Sequence, residues 1–125
     1  MDRAWLSMNH RLTMNISGNT RVIAHIGYPT HAFKAPMIYN PYFSEAGIDV
    51  VVVPLACRGD QLAGLLRPLL SLDNVIGALV TMPLKVDILA HLDQISPAAS
   101  IAGACNAVRC DDQGRLIGDL FDGEG

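Results

Sequence analysis

The chain has 125 residues, half of them apolar and 17% charged, with a formal net charge of −3. This length allows about one globular domain, and the large apolar share excludes disordered and collagenous proteins. The cationic residues are few and scattered, which argues against nucleic acid as a partner. No segment approaches the roughly 20 apolar residues of a membrane span.

The cysteines and the N-terminal segment indicate the compartment. Cys57, Cys105 and Cys110 are odd in number and match no zinc-ligand spacing, so we expect reduced thiols and no metal site. The segment Met1 to Asn19 lacks the apolar run of a signal peptide. The sequence therefore predicts a cytoplasmic protein.

Apolar segments rich in β-branched residues alternate with segments of helical spacing in the first three quarters of the chain. The predicted strands are Thr20 to Gly27, Asp49 to Cys57 and Val75 to Val80. The predicted helices run from Pro36 to the glycine at 47, from Gln61 to Leu72, and from Leu84 to about His91. This βαβαβα order predicts parallel strands with helices on both faces of the sheet.

The last quarter of the chain has a different pattern. Ser96 is a candidate N-cap, with Pro97 in the first helical position of a short helix. Residues 107–110 and 115–118 flank an Asp-Asp-Gln-Gly turn typical of a hairpin. The predicted fold class is α/β, a three-layer α/β/α sandwich with a mainly parallel sheet and a small antiparallel addition near the C-terminus.

Lys85 is the first candidate for chemistry. It follows the apolar strand that ends at Val80, and ligands of α/β sheets bind outside the carboxyl ends of the strands. A lysine there can exchange a proton with a substrate hydroxyl, although an exposed lysine at a helix start is the alternative. Asn106 and Asp122 also follow or precede predicted strands, with turn or cap residues as their alternative interpretation.

Other chemistry has no supporting motif in this sequence. There is no glycine-rich phosphate loop, no HExxH and no GxSxG. The four histidines are isolated from one another, and we assign them no role.

Four segments, in order, resemble motifs of the shikimate and quinate dehydrogenase family, specifically its N-terminal substrate-binding domain. They correspond to the family's GxPxxxxxxP, NVTxPHK, GAxNT and GxNTDGxG motifs, and lie at Gly27 to Pro36, Leu79 to Lys85, Gly103 to Ala107, and Gly118 to Gly125. The likeness covers nearly all of the chain from Val22 onward.

The resemblance implies roles for four residues. Lys85 and Asp122 would be the catalytic lysine–aspartate pair, and Thr81 and Asn106 would hold substrate hydroxyls.

The resemblance also implies an oxidoreductase of aromatic amino acid biosynthesis, the chorismate pathway, acting on a small, cyclic hydroxy acid of the shikimate or quinate type. NADP or NAD would be bound by a C-terminal Rossmann domain beyond Gly125, and we expect this piece to be inactive alone.

The departures from the family pattern concern the substrate. The two serines that bind a carboxylate in the family are replaced by Phe33 and Ala35, and the motif Asn by Leu79. Lys34, between the two serine positions, could hold a carboxylate by its charge instead. We therefore expect Lys34 and Phe33 to contact the substrate, whose identity stays open.

Two function classes remain open at this point. The first is the NAD(P)-dependent oxidoreductase, and the second is a non-catalytic metabolite-binding module derived from the same family. Retention of both Lys85 and Asp122 favours the enzyme, since a sensor has no need of a proton-transfer pair. The choice between NAD and NADP and the oligomeric state, of which a homodimer is one option, are not decided by the sequence.

Overall fold

The structure of the chain, a computed structural model, describes residues 15–121. Its strands are β1 (Arg21–Gly27), β2 (Val50–Ala56), β3 (Val75–Val80), β4 (Gln94–Ile95), β5 (Ala107–Cys110) and β6 (Leu116–Asp119). Its α-helices are α1 (Ala35–Ala46), α2 (Leu62–Leu70), α3 (Leu84–Asp87) and α4 (Pro97–Ala102), with 3-10 turns at Gly59–Gln61 and Ile88–His91.

Within the described residues, the strands form one sheet in the order β2-β1-β3-β5-β6-β4. Strand β1 pairs in parallel with β2 and β3, whereas β5 runs antiparallel to β3 and β6. The predicted α/β class, with a mainly parallel sheet and an antiparallel addition near the C-terminus, is confirmed. Strand β4, two residues that pair in parallel with β6, was not predicted, because two residues are too short to produce a period.

Several predicted element ends are confirmed and others shift. Helix α1 ends at Ala46, and the next residue, Gly47, adopts the left-handed conformation (φ 72°) that glycine tolerates best. The side chain of Ser96 accepts a hydrogen bond from the Ala99 N–H at 3.2 Å, as an N-cap does. Helix α2 ends at Leu70 rather than Leu72, and the helix predicted from Leu84 to His91 becomes a 3-10 turn after its first four residues.

The core lies on one face of the sheet. Side chains of β1 and β3 point alternately to the two faces, and Ala24, Ile26 and Val80 point to the face covered by α2 and α3. On α2 the leucines at 62, 66 and 70 form one buried stripe at helical spacing. Burying each such side chain contributes roughly 1.5–3 kcal/mol before the loss of conformational entropy is counted.

Helix α1 contacts the edge strand β2 by a different means. None of its residues is buried, and it is hydrogen-bonded to β2 through the side chain of Asn40. The Val52 N–H donates to Asn40 Oδ1 at 2.7 Å, and Asn40 Nδ2 donates to the Val52 carbonyl at 3.1 Å. The amide thus bonds the edge strand as a neighbouring strand would.

Candidate active site

The topology brings the predicted site residues to one edge of the sheet. Strands β1, β3 and β6 end at this edge, and β5, which runs the opposite way, begins there. The segments that follow or precede these strands carry Lys34 after β1, Lys85 after β3, Asn106 before β5 and Phe121 after β6. The carboxyl edge is where α/β sheets bind ligands.

Backbone hydrogen bonds connect these segments to one another. The Thr81 N–H donates to the Ile26 carbonyl at 3.0 Å, which ties the end of β3 to the end of β1. The Cys105 N–H donates to the Lys85 carbonyl at 2.9 Å, so the turn that carries Lys85 is bound to the segment before β5. The edge is therefore a connected frame rather than a set of independent loops.

Gly27, Phe33 and Thr81 meet at the end of β1. A Cβ placed on Gly27 would collide with the methyl group of Thr81 and would lie 2.8 Å from the Phe33 ring and 3.0 Å from the Met82 carbonyl oxygen. The absence of a side chain at Gly27 is therefore what lets Phe33 and Thr81 approach each other. The hydroxyl of Thr81 makes no hydrogen bond with any described residue.

Behind Phe33 lies a histidine that the sequence analysis left without a role. The rings of His25 and Phe33 stack with centroids 4.2 Å apart. His25 is buried, its Nδ1 has no hydrogen-bond partner among residues 15–121, and burial lowers its pKa because the charged imidazolium is desolvated. The only signal in the sequence is its register on β1, opposite in face to the core residues Ala24 and Ile26.

The two lysines differ in their surroundings. Lys34 is exposed immediately before α1, and its carbonyl accepts a hydrogen bond from the Ile38 N–H at 3.1 Å. Lys85 is half-buried in the first turn of α3. Neither side chain forms an ion pair within the described part of the chain.

The side chain of Asn106 is engaged with the protein. Its Nδ2 donates to the Phe121 carbonyl at 2.8 Å, and its Oδ1 accepts from the Phe121 N–H at 3.0 Å. One N–H and one lone pair of the amide stay available to a ligand. Asp122, the predicted partner of Lys85, lies outside the described residues.

An apolar groove of about 460 Å³ lies beside this edge, on the sheet face opposite the core. Leu79, Ala107 and Ile117 line it, and it reaches Asp119 and Phe121. Its lining includes none of the predicted substrate contacts at positions 33, 34, 81 and 106, so the groove and the candidate site are separate features.

No cluster of three metal-ligating side chains occurs within residues 15–121. All three cysteines are free, and burial raises the pKa of the Cys57 and Cys105 thiols. Across the same residues, every helix is too short or too polar to span a bilayer.

Comparison with known proteins gives a consistent result. Residues 25–108 match the family described as "Shikimate dehydrogenase substrate binding domain". A shikimate dehydrogenase (NADP(+)) from Geobacter metallireducens is 38% identical over 112 residues, which make up 90% of this chain and 38% of that protein.

Solved structures agree with this match. A crystal structure of shikimate dehydrogenase in complex with NADP+ superposes with a TM-score of 0.82 at 31% identity, covering 90% of this chain and 38% of that one. Shikimate 5-dehydrogenase from Listeria monocytogenes, in complex with shikimate and NAD, has a TM-score of 0.79 at 34% identity and the same coverage. The chain thus spans about two fifths of the length of the relatives it matches.

Proposed function

This chain belongs to the shikimate dehydrogenase substrate-binding domain family, and we propose that it forms the substrate-binding part of an NAD(P)-dependent oxidoreductase. The proposed substrate is a small hydroxy acid of the shikimate or quinate type, one hydroxyl of which is oxidised to a ketone. The observation that supports the proposal is that Thr81 and Lys85, which follow β3, and Asn106, which precedes β5, lie in segments at the same edge of the sheet.

The nicotinamide cofactor is proposed to be held outside this chain. A dinucleotide needs backbone N–H groups of a glycine-rich loop at a helix start, and this sequence has no such loop. The relatives' greater length and their NADP(+) names support a further nucleotide-binding domain and favour NADP. When bound, the cofactor supplies a hydride acceptor.

Proton transfer is assigned to Lys85. Its neutral amine accepts the proton of the reacting hydroxyl while the hydride leaves the same carbon, so that the C–O single bond becomes a carbonyl. Asp122 is proposed to hold the lysine and to accept a hydrogen bond from the substrate. The Thr81 hydroxyl and the remaining valences of the Asn106 amide are proposed to bind other substrate hydroxyls.

Lys34 is proposed to bind the acid group. Phe33 and Ala35 lack the hydroxyls that would otherwise hold a carboxylate, and the exposed ammonium of Lys34 lies between them in sequence. A charged hydrogen bond contributes about 1.5–3 kcal/mol, enough to replace the neutral contacts.

The chain has two lysines, which makes a matched pair of variants available. In the full-length protein, nicotinamide reduction is measured with NADP and NAD and with shikimate, quinate and other cyclic hydroxy acids. Lys85→Met should lower kcat about 100-fold or more, because general-base catalysis is lost. Lys34→Met should leave kcat nearly intact and raise the KM for acids about tenfold or more.

Each outcome has a distinct meaning. Turnover that survives Lys85→Met unchanged would remove Lys85 from the chemistry. An unchanged KM in Lys34→Met would remove the proposed carboxylate contact. Tight binding of an acid without turnover by the wild type would identify the alternative, a non-catalytic metabolite-binding module.

A further inference from the structure

The rings of Phe33 and His25 form a stacked pair at the end of β1. Their centroids lie 4.2 Å apart, and the ring planes are inclined by 29°. The tip of the Phe33 ring and the methyl group of Thr81 both approach the point that a Cβ on Gly27 would occupy. The stacked pair therefore borders the residue that is proposed to bind a substrate hydroxyl.

His25 gives the stacked pair a fixed base. It lies on β1 between two neighbouring strands, opposite Pro54 of β2 and Leu79 of β3. It is 8% exposed, and its Nδ1 is buried with no hydrogen-bond partner among residues 15–121. A buried nitrogen without a partner lowers stability, so the favourable contact that His25 makes here is the one between its ring face and Phe33.

Phe33 provides the accessible surface of the stacked pair. Its N–H donates to the Thr30 carbonyl at 3.0 Å, and the residue as a whole is only half-buried. A stacked partner covers one face of an aromatic ring and leaves the other face to its surroundings. That face is apolar and carries a negative partial charge, so it favours C–H groups and disfavours a carboxylate.

We propose that Phe33, held in place by His25, is a specificity-determining residue that receives the apolar C–H face of a cyclic substrate while Thr81 binds one of its hydroxyls. The acid group of the substrate then points away from the Phe33 ring, toward the exposed Lys34. This inference rests on the proposed function and narrows its substrate class to hydroxy acids that contain a ring. In it Phe33 contacts the substrate, and His25 is a positioning residue that acts through Phe33.

An open-chain polyhydroxy acid fits this surface less well. A ring holds its C–H bonds in a fixed arrangement, so that one apolar face can cover the aromatic ring and remove apolar area from water. An open chain must lose conformational freedom to lie flat on Phe33. It also brings hydroxyls against a ring face that offers them no strong hydrogen-bond partner.

Substrate preference in the full-length protein tests the role of Phe33. The kcat/KM is measured with NADP for shikimate and quinate, which are cyclic, and for gluconate, which is an open-chain polyhydroxy acid. The wild type should prefer the better cyclic acid. Phe33→Leu keeps an apolar side chain but lacks the ring face, and should reduce this preference roughly fivefold or more. An unchanged preference in Phe33→Leu, or a wild type that prefers gluconate, would overturn the inference.

Two variants at position 25 test the positioning role of His25. His25→Ala removes the base of the stacked pair and should reduce the preference for the cyclic acid as Phe33→Leu does. His25→Phe restores a ring that can stack and should keep the preference close to that of the wild type. If His25→Ala lowers the melting temperature but leaves the preference unchanged, His25 has a structural role only.

Phe43→Leu is the matched control. It removes a ring of α1 that stacks with Tyr39 at a centroid distance of 6.1 Å, and should leave the preference for the cyclic acid unchanged. If Phe33→Leu does not fold, Phe33→Met takes its place. A wild type that oxidises none of the three acids would refute the proposed function, and this inference with it. Turnover of a cyclic acid with the same preference in wild type and Phe33→Leu would refute this inference alone.

Discussion

The ring of Phe33 stacks on the imidazole of His25, with centroids 4.2 Å apart and the ring planes inclined by 29°. His25 is 8% exposed, and its Nδ1 finds no partner within the described residues. An aromatic ring thus covers a buried imidazole at the end of β1, beside Thr81. The arrangement favours the neutral form of His25, because the charged form would be buried without compensation.

Stability should therefore depend on pH through His25. Burial holds the pKa of His25 below its usual value, so the unfolded chain binds a proton more readily than the folded chain does. The stability gained by keeping His25 neutral in the folded chain is complete above about pH 6.5. It is lost progressively as the pH falls from there toward the lowered folded-state pKa. Urea unfolding between pH 8 and 5 should show a falling free energy of unfolding.

Two variants isolate this effect. His25→Leu should flatten the dependence below pH 6.5, whereas His31→Gln, which removes an exposed imidazole, should leave it unchanged. If the unfolding free energy of His25→Leu falls with pH as steeply as that of the wild type, His25 is not the group that causes the pH dependence.

Gly27→Ala should disturb the candidate site. The added methyl would meet the Thr81 methyl and the Phe33 ring, and overpacking of this kind costs about 1–3 kcal/mol of unfolding free energy. The matched control is Gly64→Ala in α2, where an added Cβ meets nothing within 4 Å and should stabilise the helix by about 0.5–1 kcal/mol. Denaturant unfolding of both variants measures the difference, and equal effects would contradict the proposed crowding at Gly27.

Asn40→Ala should destabilise the chain by about 1–3 kcal/mol, because the buried Val52 would lose both hydrogen bonds that its backbone makes with the amide. Ser44→Ala, at an exposed position of the same helix, should change the unfolding free energy by less than about 0.5 kcal/mol. Chemical denaturation provides the comparison. A loss in Asn40→Ala no greater than that in Ser44→Ala would show that α1 is held by other contacts.

Asp93 should make the chain sensitive to acid. Its Oδ2 accepts a hydrogen bond from the Leu116 N–H at 2.8 Å and one from Arg67 at 3.0 Å, and these lower the pKa of the Asp93 carboxyl. Its contribution to stability is present above about pH 4 and is lost as the pH falls further.

Asp93→Asn should reduce stability at neutral pH and weaken the dependence of stability on pH below pH 4. Thermal unfolding measured from pH 7 to pH 3 tests both effects. Asp73→Asn, at an exposed position with no hydrogen-bond partner among the described residues, is the control and should leave the acid dependence unchanged. An acid dependence in Asp93→Asn as steep as that of the wild type would rule out this role.

The order of the elements was predictable because each signal is local. Runs of Val and Ile predicted β2 and β3, leucines at helical spacing predicted α2, and Gly47 marked the end of α1. Thr81 and Lys85 were predicted at the carboxyl edge because they follow a strand of the parallel order, whereas Asn106 reaches the same edge because β5, which it precedes, runs antiparallel to β3. The family was predicted from four short motifs that occur in the family's order along the chain.

What the sequence by itself determined is therefore the α/β alternation, the family, and the position of Thr81 and Lys85 just after the third strand. Only the tertiary structure decided that Phe33 covers His25, that Asn40 bonds Val52 and that Asn106 bonds Phe121. These contacts join residues between 8 and 15 positions apart, and neither amide has a local signal that reveals its partner. A side-chain amide bonds whichever backbone the fold brings near it, and that proximity is a property of the packed sheet rather than of any one segment.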